Sequence, residues 1–387
     1  MRIVILGAGT GGLTLANRLA RLIADELERS RAEIVLVERR KDHDYQPGYL
    51  MASFGVRPLA HYRRSVRPLV HRRVRLIEDD VRKVDLDGRR LRGETETAYD
   101  LLIVATGSVP DFRLIPGLDA EDVRRPDAGF GTFYTAEGAE ALARTLEAFE
   151  RGRIAVVVAS PVHKCPAAPT EFALLLDDLL RSAGRRRRVE IVYTSPLDRL
   201  NLLEALDAWA RPEFHRRGIE ALFSFVPVRA DVARRRLFAK DGRTLEADLI
   251  VVVPPHRGAD VVRNSGLGDE AGFLPTDPET LAVAGRDDVY AVGDATDLAF
   301  PVLKAGAIAH FQAVVLAQNL AHRLRNVPTP YRYDGRFLCF VDDGFASSAF
   351  IRYDRHHPPR TATTGGLVHA IRQAYHELYW LGVRGLL

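Results

Sequence analysis

The sequence predicts an α/β fold of two tandem Rossmann-like units, each with the pattern of a dinucleotide-binding domain, followed by a C-terminal amphipathic helical tail. Three observations predict it. The chain opens on an apolar strand, a glycine-rich turn and a helix; a second strand-turn-helix-strand unit recurs at 153–194; and residues 366–381 carry apolar side chains at helical spacing. On this reading residues 1–112 and 275–340 form the first domain, 113–274 the second, and 341–387 a terminal region.

In the first unit, residues 2–6 read as a buried strand, 7–12 as the turn, 13–27 as a helix of period near 3.6, and 33–37 as the second strand, closed by Glu38. Gly7, Gly9 and Gly12 fall on the G-x-G-x-x-G positions. The first glycine permits the tight turn, the second lets backbone approach a pyrophosphate, and the third allows close helix packing, with the helix N-terminus facing the phosphate charge. Glu38 stands where an acid accepts the hydroxyls of an adenosine ribose, and Arg39 beside it joins the expected binding set.

Two later segments narrow the cofactor. Residues 99–107 are an apolar strand ending in Ala105-Thr106-Gly107, and 289–295 a strand ending in Gly293-Asp294-Ala295. Each alone could be a core strand with a glycine turn. Together and in this order they resemble the two-dinucleotide flavoprotein superfamily. That resemblance implies FAD, with Thr106 and Gly107 passing close to the dinucleotide and Asp294 accepting a hydrogen bond from the ribityl chain.

The second unit predicts a strand at 154–159, a turn at 161–169, a helix at 170–180 and a strand at 189–194. Its turn contains no glycine, so backbone there cannot approach a pyrophosphate closely, and the following strand ends in Thr194-Ser195 without the acid that would hold a ribose. The expectation is a nicotinamide-domain architecture without its site. In the vacated turn lies Cys165, one of only two cysteines; the other is Cys339. Two sparse thiols are no structural framework, and they read either as inert buried groups or as a redox pair.

At this point nearly the whole chain resembles the sulfide:quinone oxidoreductases and, less closely, the flavoprotein subunit of flavocytochrome c sulfide dehydrogenase. The likeness rests on residues 7–12, Thr106-Gly107, Lys164-Cys165-Pro166 with Glu171, Gly293-Asp294, Lys304-Ala305-Gly306, Cys339-Phe340 and the tail 369–379. It implies a redox bridge between Cys165 and Cys339, whose Cα atoms must then lie within about 7 Å. Hydrosulfide would attack that bridge, Cys339 taking the sulfur and Cys165 facing the flavin as thiolate, with electrons passing through FAD to quinone. A third cysteine that many members carry is absent, and residues 130–134 hold glycine, threonine and aromatics instead. That places the sulfur-chain product in question, and glutathione or sulfite as acceptor stays open.

The resemblance gives Glu171 a proton-relay role; a first-turn carboxylate favoured by the helix dipole is the other reading. His163 could deprotonate Cys165 or hydrosulfide, or be a turn histidine. Lys304, just beyond Pro301, matches a lysine near the flavin pyrimidine edge. Alternative functions are a sulfide dehydrogenase flavoprotein donating to a cytochrome c, a type II NADH:quinone dehydrogenase-like flavoprotein, or a noncatalytic flavin-binding redox sensor.

Composition is ordinary for a globular chain, 47% hydrophobic and 27% charged with a net charge of +4. The arginine runs 185–188 and 234–236 read as solvated loops, and no nucleic-acid partner is expected. No apolar run reaches the ~18 residues of a spanning helix, and Met1 leads straight into the first strand, so no signal peptide is expected. In the tail, Leu367, Ile371, Ala374, Tyr375, Leu378 and Leu381 form one apolar stripe, with His369, Arg372 and Glu377 elsewhere. With Tyr379 and Trp380 that helix either docks on a headgroup interface or packs on its own domain or on a second copy. Phe337, Phe340, Phe345 and Phe350 either line a quinone slot or belong to the core. The expected placement is peripheral (monotopic) on the membrane, on the cytoplasmic side; a homo-oligomer is possible and no metal site is expected.

Overall fold

A computed structural model describes residues 1–298, 303–359 and 363–387; Pro301 lies outside them. The strand Arg2–Leu6 sits inside a five-stranded parallel sheet, ordered Val289–Ala291, Leu101–Val104, Arg2–Leu6, Glu33–Glu38, Val74–Glu78. Because helices and loops cover both faces, Ile3, Val4 and Ile5 are all fully buried, and the strand reads as a continuous apolar run rather than an alternation. Gly7 takes φ +104°, and a Cβ there would lie 2.6 Å from the Ala105 carbonyl oxygen. At Gly12 a Cβ would come within 1.9 Å of the Gly7 oxygen. Both glycines are therefore required by the close packing of turn, helix and neighbouring strand.

The helix expected over 13–27 is two pieces, Thr10–Leu22 and Ala24–Glu28. The break falls at Ile23, which leaves helical geometry at φ −112°, ψ 33° while staying fully buried. Past the break, Glu26 is held by Arg325 at 2.7 Å, a link to the end of the helix Gly306–Leu324.

The second sheet is also parallel and five-stranded, ordered Phe130–Gly131, Leu249–Val253, Gly152–Val158, Val189–Thr194, Glu220–Leu222. The helix that follows its central strand spans Ala168–Ser182. An antiparallel pair, Ser108–Pro110 with His256–Gly258, joins the two sheets where the chain crosses out and back. Beside that crossing the buried Arg257 donates to Asp111 at 2.8 Å.

A third layer is antiparallel: Phe337–Gly344, Ser347–Tyr353 and Thr363–Gly365, leading into the helix Gly366–Val383. Its first strand runs through position 340 without interruption. This layer is tied to the second domain, since Asp178 accepts from Phe345 N at 2.9 Å and Arg217 donates to the Asp343 carbonyl at 2.6 Å.

The arginine run 185–188 departs from the solvated loop expected of it. Arg185 is buried and its Nη1 donates to the carbonyls of Leu146, Glu147 and Phe149 at the C-terminal end of the helix Ala136–Ala148. Arg186 donates to Asp177, to Val189 and to the carbonyls of Arg217 and Gly218 that end the helix Glu204–Arg217. Arg187 and Arg188 are exposed. Replacing Arg186 by Ala leaves the fully buried Asp177 with one partner fewer and strips two helix-end carbonyls, a loss of about 2 kcal/mol. A thermal melt should show Arg186→Ala unfolding several degrees below wild type and Arg187→Ala unchanged. Equal behaviour of the two would refute the capping role.

Candidate functional site

The three layers meet around a cavity of about 1250 Å³. That exceeds the ~300–1,000 Å³ of sites for drug-sized ligands and suits an extended dinucleotide. Its floor is the opening turn. Gly9 caps the helix Thr10–Leu22, and a Cβ placed on it would find nothing nearer than the Ala105 oxygen at 4.0 Å, so the helix N-terminus is open to an anion. Glu38 accepts from Ala8 N at 2.7 Å and from Arg40 N at 2.9 Å, one bond on each carboxylate oxygen, which leaves lone pairs for hydroxyl donors. Arg39 lines the cavity, with Asp80 3.9 Å away.

On the opposite wall Thr106 presents a buried hydroxyl with no hydrogen-bond partner among the described residues, and Gly107 turns at φ +68° into open space. Gly293 takes φ +70° and donates its N–H to Gln312 at 2.6 Å, which holds Asp294 at the cavity edge, where it accepts from Ser108 at 3.0 Å. An open helix terminus, an acid at the second strand end, an orphaned hydroxyl and a second carboxylate fit FAD. Lys304 lines the same cavity, but its ammonium is engaged: it donates to the carbonyls of Asp294 at 3.2 Å and Thr296 at 2.8 Å and lies 3.6 Å over the Phe273 ring. It therefore braces the Gly293-Asp294 turn.

Cys165 enters this cavity from the second domain. The stretch between the strand Gly152–Val158 and the helix Ala168–Ser182 is long enough to reach across, and it is pinned where Cys165 N donates to the Lys304 carbonyl at 2.7 Å. Cys165 adopts φ +47°, a left-handed conformation costly for a residue with a side chain. Its carbonyl accepts from Ala168 N at 2.9 Å, and Tyr134 donates to the adjacent Lys164 carbonyl at 2.9 Å. Cys339, on the third-layer strand opposite Ile351, meets it there. Both are free thiols on the cavity wall. Their mutual hydrogen bond lowers the pKa of Cys165 and raises that of Cys339, so the proton stays on Cys339 and thiolate character gathers on Cys165.

Behind the thiols lies a charged group that the sequence reading did not assemble. Arg372 Nη1 stands 2.5 Å from Glu171 Oε1 and 2.5 Å from Asp342 Oδ2, and all three side chains are buried. Burial raises the Glu171 carboxyl to about 8, against the pull of Arg372 and helped by the Asp342 charge. Arg372, which the sequence places off the apolar stripe of the tail helix, faces inward. Leu367 (76% exposed), Ile371 (51%), Leu378 and Leu381 face outward, while Arg372, His376 and Tyr379 face the cavity.

His163, a candidate base in the sequence, lies away from the cavity. It is buried outside the cavity lining, its Nδ1–H donates to the Ser160 carbonyl at 2.7 Å, and burial pushes its pKa down to about 4. It is a neutral structural ring. Of the phenylalanines, Phe337 is core, Phe340 packs on Phe350 and Tyr375, and Phe345 packs on Phe54; Phe337 and Phe340 line the cavity.

A further missed contact closes the cavity over the glycine turn. Tyr379 Oη lies 2.8 Å from Thr10 Oγ1 and 2.6 Å from His43 Nε2, while His43 Nδ1 donates to the Ala8 carbonyl at 2.9 Å. Burial lowers the His43 pKa, which keeps the ring neutral and Nε2 an acceptor for the tyrosine. Tyr134, Tyr379 and Asp342 carried no motif in sequence, since each is defined by a partner far along the chain.

Fold and site together define a flavin-dependent oxidoreductase of the two-dinucleotide-fold type. The pyridine nucleotide-disulphide oxidoreductase family matches residues 1–319, and the chain belongs to that family, with FAD as its cofactor. It is 25% identical to a mitochondrial sulfide:quinone oxidoreductase of Mus musculus over 360 residues, 91% of this chain and 78% of that protein. It is also 25% identical to a type II NADH:quinone oxidoreductase of Mycobacterium tuberculosis, over 86% of this chain and 75% of that protein. The crystal structure of the sulfide:quinone oxidoreductase of Aquifex aeolicus superposes with a TM-score of 0.84 at 21% identity, covering 99% of this chain and 91% of that one, a likeness of fold.

Tyr379→Phe removes both tyrosine hydrogen bonds but keeps the ring packed on Tyr45, centroids 4.3 Å apart. At ~1 kcal/mol per bond, FAD should leave the variant about thirtyfold faster in a dilution assay read by flavin fluorescence. An unchanged release rate would show that the helix does not hold the cofactor.

Proposed function

We propose that the chain is a sulfide:quinone oxidoreductase using Cys165 and Cys339 as its redox bridge. The observation that carries this reading is the meeting of two free thiols from different layers on the cavity wall, at the turn where a nicotinamide-binding relative needs glycine. The likeness to sulfide:quinone oxidoreductases supports the same reading.

In the oxidised state the two sulfurs are joined. Hydrosulfide attacks the Cys339 sulfur, the S–S bond breaks, Cys339 becomes a persulfide, and Cys165 leaves as a thiolate carrying the electron pair. The lowered pKa of Cys165 suits the leaving group, and the raised pKa of Cys339 keeps the other sulfur out of that role. FAD, when bound, supplies a two-electron acceptor whose electrons pass on to quinone. Gly7, Gly9, Gly12, Glu38 and Arg39 would hold its ADP half, with Thr106, Gly107, Gly293 and Asp294 holding the remainder and Lys304 bracing their wall. Anaerobic sulfide should bleach the flavin within seconds and a short-chain quinone should restore it, while NADH and NADPH leave it oxidised. Cys165→Ser and Cys339→Ser should each retain FAD and lose fast bleaching. Fast reduction by NADH, or bleaching that survives in both variants, overturns the proposal.

Glu171 sets the pH range. Up to about pH 8 it keeps its proton, and the group Glu171, Arg372 and Asp342 is neutral overall; above that it gains one negative charge beside the thiols. An extra anion disfavours both the approach of hydrosulfide and the Cys165 thiolate. The rate of bleaching per hydrosulfide should therefore fall as pH rises through about 8, and Glu171→Gln should abolish that fall. A fall that persists in the variant would assign it to another group.

The exposed apolar face of the tail helix would rest on lipid, where the quinone resides. Among the described residues no helix is long and apolar enough to cross a membrane. Leu367 and Ile371 stand out furthest, and Trp380 beneath the Arg64 guanidinium at 4.8 Å suits the headgroup level. Wild-type protein should co-sediment with phospholipid vesicles, and Leu367→Glu with Ile371→Glu should lose most of that binding while bleaching with sulfide at the wild-type rate. Undiminished sedimentation of the double variant would remove the helix from the contact.

A further inference from the structure

The tail helix carries Arg372 inward, into the cavity that both thiols line. We propose that Arg372 is a positioning residue of the redox site: by pairing with Glu171 and Asp342 at once it holds a fixed positive charge against the Cys165–Cys339 pair and keeps Cys165 reactive. This deepens the reading above and rests on it for the identity of the substrate.

Arg372 reaches the site from the helix Gly366–Val383, Glu171 from the helix Ala168–Ser182 and Asp342 from the strand that also holds Cys339. Its side chain is 4% exposed, and its Nη1 is 2.5 Å from each carboxylate. Burying an arginine between two carboxylates is a costly way to seat a helix, and apolar residues of similar volume usually do that as well or better. This helix is already seated by Tyr379 on Thr10 and His43 and by Val383, whose carbonyl accepts from Asn17 at 2.7 Å. What the arginine adds is charge beside sulfur.

Around the thiols, the Cys339 hydrogen bond and the Ala168 N–H lower Cys165 most, Asp294 from the first-domain turn raises it, and Glu171, once ionised, raises Cys339; of these groups Arg372 is the one whose charge lowers both. Tyr45, Tyr134, Tyr353 and Tyr375 also surround the pair, all neutral because burial raises their hydroxyls. On the arginine's own helix His376 accepts its Nε at 3.3 Å, and burial beside Arg372 pushes that histidine's pKa down to about 3, so it adds no charge. His369 stands 3.3 Å from Asp342 on the side away from the arginine's second carboxylate contact, and Ser348 also donates to Asp342. A cation whose charge reaches both sulfurs is thus delivered from the helix with the exposed apolar face.

The test uses the FAD-loaded protein with both cysteines reduced under argon and needs no sulfide. Alkylation by iodoacetamide is followed across pH, with Cys165 and Cys339 resolved by peptide mass, in wild type, Arg372→Lys, Arg372→Met, and Arg372→Met combined with Glu171→Gln and Asp342→Asn. The last variant removes the buried carboxylates along with the arginine, so it tests the charge even if Arg372→Met alone fails to fold. Cys165 in wild type should react with a midpoint below that of an ordinary thiol. Near neutral pH its reaction should slow about tenfold in Arg372→Met, slow by less in the triple variant, which loses the Asp342 charge along with the arginine, and recover in large part in Arg372→Lys. A wild-type profile in the triple variant overturns the proposal, because the arginine would then serve only to neutralise the two carboxylates. Equal slowing in Arg372→Lys and Arg372→Met overturns it too, because loss of shape rather than charge would be the cause. Wild-type protein that shows the expected alkylation but is not bleached by sulfide would refute the substrate while leaving the role of Arg372 standing.

Discussion

One hydrogen bond fixes the chemistry of this molecule, that from Cys165 N to the Lys304 carbonyl. It fastens a turn of the second domain to the wall of the first, at a residue held in the left-handed region. Such a conformation costs of order 1–3 kcal/mol in a non-glycine residue and persists only when its surroundings fix it. The Tyr134 hydroxyl on the Lys164 carbonyl, the Ala168 N–H on the Cys165 carbonyl and the crossing strands at Ser108–Pro110 supply that restraint. Without it the thiol would not meet Cys339, and the cavity would lack its sulfur wall.

Local features of the site were legible in the sequence because their physics is local. Gly12 is demanded by the Gly7 carbonyl within the turn and Gly7 by its own φ of +104°, and the absence of glycine from the second turn is visible without any coordinates. Cys165 and Cys339 stood out because the chain has no other cysteine. Arg372 and Tyr379 were not legible, since each is defined by groups from distant segments that only folding brings near. The apolar stripe of the tail helix read equally as a lipid-facing or a packed surface, because spacing alone does not say what covers it, and Leu367, Ile371, Leu378 and Leu381 are exposed. Arg185 was misread: a run of four arginines reads as solvated, and nothing in the run announces that helix-end carbonyls await it.

The likeness to both a sulfide and an NADH enzyme at the same identity shows how little of this fold encodes the electron donor. Most of the shared sequence builds two sheets and a flavin cradle, which any donor can use. On the proposed function the choice of donor is concentrated in one turn, where Cys165 stands and glycine is absent. The layer that follows the second pass through the first domain completes the choice by bringing Cys339 to that turn.

The position of the tail helix bears on how related chains are sorted by function. A protein that stopped before Gly366 would retain every glycine turn, both cysteines and Glu171, and any inventory of motifs would class it with this one. It would nonetheless leave Glu171 and Asp342 facing each other without their shared cation and would open the roof over the first turn. The last twenty or so residues are thus as informative about competence as the first twelve.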